Sequence, residues 1–160
     1  MTRINKKAFG KRQFGFSLVE VLIALVIMSV GMLGIAGLYV QSMQAGRTSM
    51  FRHHAVNLAG DIADRIRANP TAGVSYAAAA GESNNCVGMG INCTPAQMAA
   101  NDIDIWGEQA DGSLPGGEVV VVFTAAAGAT PPTYQITVTW TEPGQVPAPN
   151  YSITIPVLPI

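Results

Sequence analysis

The sequence predicts an α+β protein, with one long N-terminal helix followed by a small antiparallel sheet. Three observations carry this reading. Residues 16–40 are a run of 25 whose only charge is Glu20. Apolar residues then recur at helical spacing as far as Asn69-Pro70. The last third of the chain holds three short strand-like stretches joined by Ala-, Pro- and Gly-rich connections. At 160 residues the chain has the length of about one domain.

Charge divides the chain. Arg3, Lys6, Lys7, Lys11 and Arg12 are five of the nine basic residues, and no acid stands among them. Beyond Gly15, four basic residues face ten acidic ones, a net charge of −6. Such a body is a poor partner for a phosphate backbone, where released counterions supply most of the affinity. No nucleic-acid partner is expected. The basic cluster reads as a targeting leader over residues 1–15.

About 20 apolar residues cross a bilayer as a helix, so the run at 16–40 is long enough. Its basic flank stays cytoplasmic, which puts the body on the far side. The bland alternative is a secretory signal peptide cut after "LGIAG" at 33–37. The run is too long for that, and an acid sits near its start. Glu20 is therefore informative. An ionisable residue at the centre of a span costs roughly 2.5–3.5 kcal/mol and usually has a partner. No other charge lies between Arg12 and Arg47. Cutting the Gly15–Phe16 bond would create one, an α-amine with a reference pKa of about 7.7–8.0. Either the same chain or a neighbouring subunit could offer that amine to Glu20.

The stretch "GFSLVEVLIALVI" resembles the class III signal of type IV pilins and pseudopilins. The resemblance implies cleavage at Gly15–Phe16 by a prepilin peptidase, N-methylation of Phe16, and Glu20 as the assembly charge. Ser17 stands where Thr is more common in that family. It also implies the pilin architecture, a ladle whose long helix packs on one face of the sheet. Gly31, Gly34 and Gly37 lie within the span. They permit close helix packing in a membrane, and each weakens the helix by about 1 kcal/mol relative to alanine. Their spacing does not fit a dinucleotide fingerprint.

From residue 41 the pattern becomes one-sided. Phe51, Ala55, Leu58, Ile62 and Ile66 form a helical stripe. Asn69-Pro70 stops it, because the residue before proline leaves the helical region. A helix from Phe16 to Ala68 has 53 residues and a length of about 80 Å. Its two parts are expected over 16–40, as the membrane or filament-core segment, and 41–69. The ending Ala-Asp-Arg-x-Arg-Ala-Asn-Pro resembles the PilV group of minor pilins, the type IV pilus modification proteins. His53 and His54 point about 100° apart on a helix and do not make a same-face metal pair.

Residues 70–160 are expected to form a globular head. "TAGVSYAAAAGESNN" shows no sustained period. Cys86 and Cys93 cannot complete a structural zinc site, which takes four ligands. In an exported head they are expected to pair as a disulfide. Thr94-Pro95 predicts a helix start for a short helix toward Trp106, and "DGSLPGG" at 111–117 predicts a break. Strands are expected at 118–123, which reads as fully buried, at 134–140 and at 151–157. Pro156 marks the last as an edge strand.

No cofactor, metal site or catalytic constellation is expected, and Ser113 lacks the glycines of a nucleophile elbow. The resemblance implies a minor pilin that primes or modifies a pilus. Its partners would be major and minor pilins, prepilin peptidase and the inner-membrane assembly machinery. The head would lie in the periplasm before assembly and at the cell surface after it. A type II secretion pseudopilin is the near alternative, and a tip-presented adhesin or DNA-binding module is the distant one.

Overall fold

The computed structural model describes residues 15–78, 81–88 and 92–157. Except for Gly15, the predicted basic leader lies outside the described residues. A 51-residue helix α1 (Leu18–Ala68) is followed by a 3₁₀ turn at Pro70–Ala72 and a one-turn helix α2 (Ser75–Ala78). Helix α3 (Pro95–Ser113) and strands β1 (Glu118–Thr124), β2 (Thr133–Thr139) and β3 (Asn150–Pro156) complete the chain. The strands form an antiparallel meander in the order β1-β2-β3. This is the predicted α+β fold.

By contact density the chain divides into units 1–44 and 45–160. In the first, every described residue is exposed, including Leu22, Ile27 and Leu33. It is the one described helix long and apolar enough to cross a membrane.

In the second unit, α1 buries Ala55, Leu58, Ala59, Ile62, Ala63 and Ile66. They share one core with Tyr134, Ile136, Val138 and Trp140 on and beside β2, and with Ile155 on β3. Tyr76 and Trp106 close it from α2 and α3, their rings stacked with centroids 5.5 Å apart. Fully burying an Ile or Leu side chain is worth about 1.5–3 kcal/mol, so this stripe holds the head to its helix.

Three local expectations change. The loose stretch after Thr71 contains α2, and Tyr76 from it is buried. Helix α3 does not stop near Trp106 or at Asp111. Ala110 and Leu114 carry the buried stripe onward at steps of four, which draws the helix through Gly112 to Ser113. Strand β1 is only half-buried: Val119, Val121 and Phe123 turn to the core, while Val120 and Val122 are exposed. The other face of the sheet has no layer upon it among the described residues.

The β2–β3 connection is held to α1 by one side chain. Glu142 Oε2 accepts from the Thr48 hydroxyl at 2.6 Å, and Oε1 accepts from the Trp140 indole N–H at 2.7 Å. These bonds favour the carboxylate and lower the Glu142 pKa from its ordinary 4.5.

Two predictions follow from this packing. A Cβ on Gly117 would stand 2.2 Å from the Ala110 carbonyl oxygen, a backbone atom that cannot yield. Gly117→Ala should therefore cost about 2 kcal/mol or more, seen as a lower thermal midpoint of the full chain in detergent. The lowered pKa of Glu142 means that its contribution is complete above about pH 4.5 and is lost as pH falls through the folded-state value. The stability gap between wild type and Glu142→Gln should be constant near neutrality and shrink below pH 4.5. A gap that grows on acidification would contradict the assignment.

Candidate functional site

At its N-terminal end the helix begins abruptly. Leu18 is the first helical residue, and the Val21 N–H donates to the Ser17 carbonyl at 3.2 Å. Glu20 thus lies in the first turn, where unsatisfied N–H groups favour a carboxylate by about 0.3–1 kcal/mol. Gly15, Phe16 and Glu20 are all exposed, Phe16 by 83 %. Glu20 makes no ion pair among the described residues. A scissile bond at Gly15–Phe16 would be open to an enzyme, and the acid is open to a partner from outside the chain.

The other end of α1 carries the Ala63–Pro70 motif, and most of its residues have a structural task. Ala63 and Ile66 enter the core. Asp64 and Arg67 pair on the surface at 2.9 Å. Arg65 reaches Asp102 on α3 at 3.0 Å and lies 3.6 Å from Asp61. The Asn69 amide donates to the Pro95 carbonyl at 2.9 Å and to the Tyr76 hydroxyl at 3.3 Å. The Tyr76 hydroxyl in turn donates to the second oxygen of Asp102 at 2.9 Å. Pro70 opens the 3₁₀ turn. The motif ties the end of α1 to α2 and to the start of α3.

Burial chiefly raises the Tyr76 pKa. The Asn69 bond opposes that shift, and neighbouring Asp102 adds to it. Tyr76 therefore stays a neutral donor. Asp102 is almost fully buried, and its two oxygens are held by a cation and a hydroxyl. Sequence reading missed both residues. One buried tyrosine in a single helical turn has no period, and Asp102 is one of three aspartates on α3, with nothing local to set it apart from the two that are not buried. Their signal was the buried side of α3, where Ala99, Asp102, Trp106 and Ala110 keep helical spacing.

Cys86 and Cys93 are joined, with Cα atoms 5.9 Å apart. Asn101 Oδ1 accepts from the backbone N–H groups of Asn84 and Cys86, anchoring the linked segment to α3. Helix α3 begins beside it with a capping box: the Gln97 N–H donates to Thr94 Oγ1 and the Thr94 N–H donates to Gln97 Oε1. His53 and His54 are exposed, and His53 bonds with Asn57 at 3.1 Å. No group of three metal-ligating side chains occurs among the described residues.

The Arg65–Asp102 pair is half-exposed on one side and buried on the other, so its loss should cost less than that of a wholly buried pair. Arg65→Met should destabilise the head by about 1–3 kcal/mol, because Asp102 loses its cation. Tyr76→Phe should cost about 1–3 kcal/mol, because it removes two bonds and leaves one oxygen of buried Asp102 without its donor. Denaturant midpoints of the full chain in detergent check both, and a neutral Arg65→Met would remove the ion pair from the account.

Family comparison supplies the wider context. Residues 37–104 match the family model described as Tt1218-like, type IV pilin Tt1218. Residues 10–36 match the prokaryotic N-terminal methylation motif. No curated protein and no solved structure matches the chain. The chain is thus similar to a type IV pilin over residues 37–104, and the segment before it, residues 10–36, is similar to an N-terminal methylation motif.

Proposed function

We propose that this chain is a minor pilin of the PilV type, cut between Gly15 and Phe16, N-methylated at Phe16 and built into a type IV pilus. The observation that carries this reading is the bare apolar helix from Leu18 to Gln44, with an acid in its first turn and no cover from the rest of its unit. So much exposed apolar surface needs another phase or another chain to cover it. Lipid supplies that cover before assembly, with the helix as a single inner-membrane span and the head in the periplasm. Neighbouring major and minor pilins supply it in the filament. The Ala63–Pro70 ending supports the PilV type by its likeness to that group.

Glu20 sets the register of entry. In a low-dielectric filament core an unpaired carboxylate is costly. A cationic Phe16 amine from an adjacent subunit removes that cost at one axial position and at no other. Prepilin peptidase creates the amine, and the inner-membrane assembly machinery brings the two chains together. The protein needs no catalytic group of its own.

Intact-mass measurement of the chain from a strain with its peptidase should show a start at N-methylated Phe16. A start near Leu38 would mean ordinary signal-peptide processing and overturn the reading. Glu20→Ala and Glu20→Gln should insert, be cleaved and fold, yet their recovery in sheared pili should fall about tenfold or more, equivalent to about 1.4 kcal/mol per factor of ten. Wild-type recovery of both variants would end the charge-pairing account. Loss of cleavage would move the role of Glu20 to the peptidase.

A further inference from the structure

The free edge of the sheet at β1 has hydrogen-bonding capacity that the fold does not use. Strand β1 pairs only with β2, and no backbone group of Glu118–Thr124 bonds outward among the described residues. Alternate residues of an edge strand turn their N–H and C=O groups away from the sheet, and proteins normally blunt such edges with lysine, proline, bulges or a covering segment. Through its seven residues β1 has no lysine, no proline and no break in register. The opposite edge is treated differently: β3 ends in Pro156, and Pro147 and Pro149 lead into it.

A groove of about 540 Å³ follows the β1 edge. Inward-facing Val119 and Val121 and outward-facing Val120 all line it, so it runs along the margin of the strand and not along one face. Asp104, Trp106 and Glu108 of α3 line it as well, together with Tyr76 and Ala77 of α2, and both helices pack beside β1. Trp106 is 1 % exposed, and its indole N–H has no acceptor among the described residues. A carbonyl group, such as a peptide backbone brings, is what this donor lacks.

Charge identifies the occupant. Asp104, Glu108 and Glu118 form no ion pair among the described residues. Residues 68–160 contain seven acids and no Lys or Arg, so a second copy of the head would set acid against acid. We infer that the β1 edge receives an extended segment of a different protein subunit, with Lys or Arg at the alternate positions facing α3, as a fourth antiparallel or parallel strand. The backbone ladder supplies affinity, and the carboxylates reject acidic strands, including those of another copy. This inference rests on the head alone and stands whether or not the proposed pilus role holds.

The test uses the full chain in detergent micelles and three synthetic probes. One is Thr-Lys-Val-Lys-Val-Lys-Thr, the second replaces each Lys by Glu, and the third copies residues 118–124. Binding is read by fluorescence anisotropy and by amide exchange within β1. The Lys probe should bind at least about tenfold more tightly than the Glu probe, weaken with salt and slow exchange across Glu118–Thr124. The Asp104→Asn, Glu108→Gln double variant should lose that preference. If this variant fails to retain slow exchange in β2, exposed Glu108→Gln alone should reduce it about threefold. No binding of the Lys probe, equal binding of the Lys and Glu probes, or unchanged β1 exchange would overturn the proposal. Binding of the 118–124 copy as tight as that of the Lys probe would show pairing between copies and overturn it equally.

Discussion

Three alanines set the distance at which the head meets α1. Ala55, Ala59 and Ala63 recur every four residues and are 0 %, 0 % and 2 % exposed. Their short side chains form a shallow track between the longer Leu58, Ile62 and Ile66, and close-packed interiors tolerate little change in such spacing. A larger residue at any of them would push the helix from the core, because overpacking forces backbone shifts. The Arg65–Asp102 pair, the Asn69–Pro95 bond and the Thr48–Glu142 bond all join α1 to more distant segments. Each therefore requires the close approach that the alanines permit.

Much of this was legible in the sequence because the patterns were long. The stripe from Phe51 to Ile66 repeats over four turns, and the alternation of Tyr134, Ile136 and Val138 is unbroken. The run "EVVVVF" misled because four valines look alike whichever way they point. Val120 and Val122 are exposed because they point to the face of the sheet that no layer covers among the described residues. Tyr76 and Asp102 were hidden for a different reason. Their importance comes from one another and from Arg65, across separations of 26 and 37 residues that no local window contains. The glycine at 117 was likewise silent, since its need is set by the Ala110 carbonyl and not by its neighbours in sequence.

At the N-terminal end the balance reverses. Gly15, Phe16 and Glu20 stood out by motif, whereas among the described residues all three are exposed. Folding within the chain does not account for a bare apolar helix whose acid has no partner among the described residues. The helix is apolar on all sides in its exposed first part and one-sided where it meets its own head.

The distribution of cations has a chemical consequence. Every Lys of the chain lies at or before Lys11, and the four basic residues beyond Gly15 are arginines at positions 47, 52, 65 and 67, all on α1. A chain starting at Phe16 would have one primary amine in the whole molecule, its own terminus. Methylation would turn that amine secondary. Reagents directed at lysine would then find no side-chain amine on the protein, and the secondary amine of Phe16 would be the one amine left for them to modify.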